Sequence, residues 1–172
     1  MKRKNNVGSP LETLIAKSIG YVAFRPRSSG EIRAYLKKYS ARYGQETCDK
    51  AYQRLSELGY VNDPEFTRLW IESRMRSKQK GKNLLILELV RKGIDKEDAI
   101  RAIEEYISGT GELYSELSLA KQALGKRLER WKILPKRDRY GKIAAFLLRR
   151  GFSSSVISPI VDGMGQTGYN EE

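Results

Sequence analysis

The stretch LLILELVRKGIDKEDAI, residues 84–100, holds the fold in small: an apolar helix, a basic pair, a glycine, a bulky apolar residue and a capped second helix. It returns in another spelling as IAAFLLRRGFSSSVI, residues 143–157. Leu85 and Leu89 become Ile143 and Leu147, spaced by four and therefore on one helical face. Gly93 becomes Gly151 at the helix end, and Asp95 becomes Ser153, both residues that cap a following helix. A fainter third copy places Ile32 and Leu36 in the apolar positions and Thr47 as the cap, with a longer link over residues 39–46. Neither short helix can bury its stripe alone, so such units are expected to stack on one another.

Working outward, apolar residues recur at three and four rather than at two, the period of helices with one buried stripe. A first helix is predicted over residues 10–24, with Leu11, Leu14, Ile15, Ser18 and Val22 on one side. RPRSSG (25–30) breaks it through Pro26. A short helix over 29–39, capped by Ser28 or Ser29, follows, and then one over 46–58 closed by Gly59. VNDPEF (61–66) opens a longer helix toward Gln79, with Asp63 as the expected N-cap and Pro64 where a missing N–H costs nothing. In the last third, Leu113, Leu117, Ala120, Leu124, Leu128 and Trp131 predict a long helix before Pro135, and Pro159 leaves the length of the final helix open. Trp70 and Trp131 fall on apolar stripes and are expected to pack in the core. The resulting division is a basic flexible tail (1–9), three three-helix repeats (10–60, 61–108, 109–162) and a flexible C-terminal tail (163–172).

Hydrophobic residues make up 40% and charged residues 31% of the 172, a composition of folded rather than disordered chains. The 33 Lys and Arg exceed the 21 Asp and Glu by 12, so attraction to a polyanion or an acidic surface, with marked salt dependence, is expected. The excess is concentrated: residues 72–96 balance at +5 and residues 126–150 at +8. MKRKNNVGSP lacks the apolar core of a signal peptide, and no run of 18 apolar residues occurs, so a cytoplasmic protein without membrane association is expected. One cysteine, Cys48, excludes an intramolecular disulfide. With no histidine there is no Ser-His-Asp or Cys-His arrangement, and the chain has neither a Walker A loop nor GxGxxG. A non-catalytic protein without cofactor or metal is the expectation.

Four motifs then stand in order: FRPRS (24–28), LSELGYVNDPEFTRLWIESR (55–74), KGKNLLILELVRKGID (80–95) and FLLRRGF (146–152). Together they resemble the RecX family, bacterial proteins that regulate the RecA recombinase, over roughly residues 10–160. Thr67 stands where the family commonly has alanine, and Lys82 and Asn83 where arginine is common. The resemblance implies an all-α fold of three tandem three-helix repeats forming an elongated curved body. It further implies binding along the groove of the RecA filament on DNA, hindering filament extension, strand exchange, ATP hydrolysis and co-protease action.

The candidate partner- or DNA-binding residues are Arg25, Arg27, Arg74, Arg76, Lys92, Arg127, Arg130, Arg137, Arg139, Arg149 and Arg150. Their expected partners are the RecA filament and single- or double-stranded DNA, met by a monomer. For Arg25 and Arg27 solvated loop positions are the plain alternative, for Arg74 a local ion pair, and for the pairs 91–92 and 149–150 interaction with the helix dipole. Two other functions stay open: an independent DNA-binding module built of short helix pairs, and an architectural binder of an acidic protein.

Overall fold

Ser9 and Pro10 start the first helix as their chemistry allows. The Ser9 hydroxyl accepts the Glu12 amide at 3.2 Å, Glu12 answers by accepting the Ser9 amide at 2.7 Å, and Pro10 occupies the first turn, where its missing N–H is no loss. The computed structural model of the protein describes residues 9–110 and 115–163, without the side chains of 77 and 78. Apart from residues 9 and 163 the two expected tails lie outside the described residues, as do Leu113 and Tyr114.

All regular structure among the described residues is helical: α1 (Pro10–Ala23), α2 (Ser29–Lys37), α3 (Ser40–Tyr43), α4 (Gln45–Glu57), α5 (Asp63–Lys78), α6 (Lys82–Arg91), α7 (Lys96–Thr110), α8 (Glu116–Lys132), α9 (Lys136–Arg149) and α10 (Ser154–Gly163). Residues 9–67 with 91–94 form one compact unit, and residues 68–90 with 95–163 a second.

In the first unit α1 and α2 pack on α4. Leu14, Ile32, Leu36, Cys48, Ala51 and Leu55 close the core, each at most 2% exposed. At about 1.5–3 kcal/mol for each fully buried aliphatic side chain, this cluster is the unit's main source of stability. Ser18, buried on the α1 stripe, is satisfied by donating to the Leu14 carbonyl at 2.8 Å. Cys48 lies within reach of the Leu36 carbonyl, and burial, with Asp49 nearby, raises its thiol pKa, so it is a packing residue and not a nucleophile. The longer link over 39–46 is largely filled by α3. Thr47 is not a cap: α4 begins two residues earlier, after Gly44, because Gly44 supplies the turn at φ 82°.

In the second unit α8, α9 and α10 pack on one another through Leu119, Ala120, Ala123, Leu124, Ile143, Leu147, Ile157, Ile160 and Val161. The buried stripe of α8 is shifted from the expected one, and Leu117 is exposed. Gly125, at φ 37° and ψ −131°, kinks α8 and turns its second half. Pro159 does not stop α10, since Ile160 and Val161 beyond it are buried and offset the missing backbone bond.

The quoted motif has a structural purpose. Ile32, Leu85 and Ile143 are at most 1% exposed, and Leu36, Leu89 and Leu147 at most 2%. Gly93 and Gly151 both turn left-handed, at φ 84° and 85°. In the first unit the carbonyl just before Gly93, on Lys92, accepts the Ser28 hydroxyl at 2.5 Å. In the second the carbonyl just before Gly151, on Arg150, accepts the Gly81 amide at 2.9 Å, and the Gly151 carbonyl accepts Asn83 N–H at 3.1 Å. Ser28 and Gly81 each stand four residues before the first buried position of their helices. Each glycine turn therefore rests on the start of another short helix, and the contact is close enough to exclude side chains: a Cβ on Gly30 would lie 2.5 Å from the Lys92 carbonyl oxygen, and one on Gly81 2.5 Å from the Gly151 carbonyl carbon.

Candidate functional site

Three groups of cations emerge, and two are turned inward. The first is gathered by Glu31. Its position is set by a Ser-x-x-Glu capping box at the start of α2, in which the Ser28 hydroxyl accepts the Glu31 amide at 3.1 Å and Glu31 accepts the Ser28 amide at 3.3 Å. The same carboxylate takes two bonds from Arg25, at 2.7 and 3.3 Å, and one from Lys92 at 2.7 Å, with Arg27 at 3.9 Å. Burial alone would raise its pKa, but the bonds from Arg25, Lys92 and the Ser28 amide outweigh that and bring it down to about 2. Arg27 also lies 3.9 Å over the Tyr21 ring, and its side chain is only 13% exposed.

Glu88 on α6 gathers the second group. It accepts Trp70 Nε1 and Arg74 Nε, each at 3.2 Å, and pairs with Lys80, while the Arg74 guanidinium stacks 4.0 Å over Trp70. Burial opposes ionisation, yet Lys80 and Arg74 hold the Glu88 pKa below its usual value. Trp70 is half-buried and tied to this cluster instead of lying within the core. Arg76 points outward and pairs with Glu72 one turn away at 3.0 Å.

The third group, on α8 and α9, has a different environment. Arg127 and Arg150 lie over one ring, Phe146, at 4.9 and 4.8 Å from its centroid, and Trp131 meets that ring edge-on at 5.8 Å. Arg150's pKa is lowered, first by burial and then by the charge of Arg127. Two like charges held on one aromatic platform favour an anion beside them. Arg130, Arg137 and Arg149, on the same two helices, are exposed. Arg139 instead reaches back to the Lys132 carbonyl at 3.3 Å, closing the end of α8. Among the described residues, Lys132 with Glu129 is the ion pair seen within these two helices. The candidate site is therefore the α8–α9 surface centred on Phe146.

Sequence spacing grouped the eleven candidates by charge density, and the structure divides them by which carboxylate stands nearby. Glu31 and Glu88 were the signals missed; only the capping-box spacing of the first was readable. Phe146 is half-buried and forms the platform. No group of carboxylates, thiols or imidazoles among the described residues could hold a metal ion, and no helix among them is long and apolar enough to cross a membrane. A groove of about 420 Å³ between α9 and α10 is lined mainly by Tyr140, Ala144, Leu148, Ile157 and Val161, with Asp162 at its edge. It brings together no acid–base pair.

Comparison with known proteins agrees with this architecture. Residues 62–103 match the second three-helix domain of RecX, and residues 114–161 match the third. The chain is 34% identical over 140 residues to the regulatory protein RecX of Listeria welshimeri, covering 81% of this chain and 49% of that protein. It is 33% identical over 148 residues to the RecX of Prosthecochloris aestuarii, covering 85% and 89%. The chain thus spans about half the length of its Listeria relatives but most of the Prosthecochloris one. Its fold is similar to the crystal structure of RecX from Lactobacillus salivarius, with a TM-score of 0.76 at 21% identity over 91% of this chain and 97% of that one.

Proposed function

This chain belongs to the RecX family, and on that premise we propose that it regulates the RecA recombinase by docking on the filament RecA forms on DNA, without chemistry of its own. The observation that supports the reading is the α8–α9 surface, where Arg127 and Arg150 are preset on Phe146 and Arg130, Arg137 and Arg149 of the same helices are exposed. Guanidiniums already held against a ring lose less freedom on binding a carboxylate or phosphate than free side chains do. A filament on DNA offers both anions, repeated along its length, and repeated contacts give avidity that one small module lacks. Docking of this kind blocks or stiffens the filament, so RecA's extension, strand exchange and ATP hydrolysis fall.

The test is the RecA ATPase on single-stranded DNA, titrated with this protein at two salt concentrations beside its direct binding to the same DNA. ATPase loss at concentrations too low to bind naked DNA is the expected result. An unchanged ATPase beside tight naked-DNA binding would instead make the chain an independent DNA-binding module.

A further inference from the structure

The first unit carries a surface that the docking reading does not use. Residues 10–43 hold seven cations against two acids, Glu12 and Glu31, and both acids are engaged at helix starts. Four tyrosines run across α1, α2 and α3 in ring contact. Tyr21 stacks on Tyr35 with centroids 4.1 Å apart and planes 6° apart, Tyr35 meets Tyr39 at 5.4 Å, and Tyr39 overlies Tyr43 at 6.1 Å. The Tyr35 and Tyr39 hydroxyls lie 3.2 Å from each other, so these two phenol tips share one side. All four rings are half-buried, showing at the surface while Tyr39 and Tyr43 also pack on the core.

Cations attend three of the four rings. Arg27 covers Tyr21, Lys17 stands 5.2 Å from the Tyr39 ring and Arg42 5.2 Å from that of Tyr43. Among the described residues neither Lys17 nor Arg42 pairs with a carboxylate. Core packing accounts for a tyrosine or two; it does not require a row of four with free positive charge along it.

We infer that this row is a nucleic-acid contact separate from α8–α9, which takes a single strand of DNA along α1–α3. Lys17, Arg42 and the phenol hydroxyls meet phosphates, the groups that such side chains most often contact. Tyr21 with Tyr35, and Tyr39 with Tyr43, cover one another's faces, while Tyr35 and Tyr39 meet edge to face, so what the row offers outward is mainly electropositive ring edges, which pack against the faces of unstacked bases. A duplex hides those faces in its own stack, so the surface favours a single strand and reads no sequence. The inference requires neither RecA nor the α8–α9 surface.

Binding of the intact chain to fluorescein-labelled oligothymidylate, followed by anisotropy over a salt series, tests it. Lys17→Glu with Arg42→Glu is expected to weaken binding about tenfold or more and to lower the log–log salt slope by about 2. Tyr39→Phe with Tyr43→Phe, which removes only hydroxyls, is expected to weaken it by a smaller factor. In the unsubstituted chain, tyrosine ring NMR signals are expected to shift on adding the strand and to stay in place with duplex or polyglutamate. Unchanged affinity and slope in a charge variant that melts like its parent would overturn the inference. So would unmoved tyrosine signals at saturation, an equal response to duplex, or an equal response to polyglutamate, the last marking a surface for an acidic protein. If the charge variant fails to fold, the tyrosine signals of the unsubstituted chain decide alone.

Discussion

At the scale of single residues, Glu31 shows how a carboxylate can disarm cations that look available. Its pKa is held at about 2 against an ordinary 4.5, so its contribution to stability is complete above pH 4.5 and is lost as pH falls toward 2. After allowance for solvent screening that contribution is about 1–2 kcal/mol. Glu31→Gln is expected to lower stability at pH 7 by about 1–3 kcal/mol, because Arg25, Arg27 and Lys92 are left facing one another, and to flatten the stability profile between pH 4.5 and 2. Urea denaturation across that range checks both. The glycine turns are equally specific. Gly151→Ala places a Cβ into Leu84 at φ 85°, and Gly93→Ala sets one 2.9 Å from the Gly30 Cα at φ 84°. Each is expected to cost about 2–4 kcal/mol, whereas Gly141→Ala, in open space within α9, is expected to gain up to about 1 kcal/mol. Thermal melts of the three variants separate packing from propensity.

At the scale of elements, the start of α5 corrects the expected cap. Asn62, not Asp63, performs it: the Asn62 side chain accepts the Glu65 amide at 3.0 Å. Asp63 is drawn away to α2, where it accepts the Ser29 amide at 2.7 Å and the Ser29 hydroxyl at 2.5 Å. Both residues are good caps by type, and the backbone entry decided between them, since Phe66 N–H bonds the Asn62 carbonyl. Asn62→Ala is expected to cost about 1 kcal/mol and to fray α5, while Asp63→Ala, at about 1–3 kcal/mol, loosens the first turn of α2. Amide hydrogen exchange distinguishes the two by where protection is lost. The stripe of α8 belongs to the same scale: the expected one placed Leu117 inside and missed Leu119 and Ala123, although all three precede the kink at Gly125, so the rotation of the helix against its neighbours decided which face is buried.

For the whole molecule, charge is the property that function reads. The formal +12 is not spread evenly in its effect, because Glu31 and Glu88 each hold several cations in place while Arg130, Arg137 and Arg149 on α8 and α9 are exposed. Arg130→Glu with Arg149→Glu is therefore expected to raise the concentration needed to inhibit the RecA ATPase at least tenfold and to reduce its salt dependence. Arg54→Glu, which alters an exposed residue paired with Glu57, is expected to change it little. Measuring inhibition curves at two salts for both variants settles whether this surface carries the docking.

The sequence by itself determined that the chain is helical, where most helices begin and end, which family it belongs to, and that Leu85, Leu89, Ile143 and Leu147 face inward. These are consequences of period, caps and glycines, all local along the chain. Only the tertiary structure decided which cations are available, that Phe146 carries two of them, and that four tyrosines meet in one row. Those outcomes depend on which residues from separate helices come within a few ångströms: Lys92 meets Glu31 across 61 positions of sequence, and no local pattern specifies that approach. The repeated glycine joins the two levels, since its left-handed turn is readable in the motif but the backbone it presses against is not.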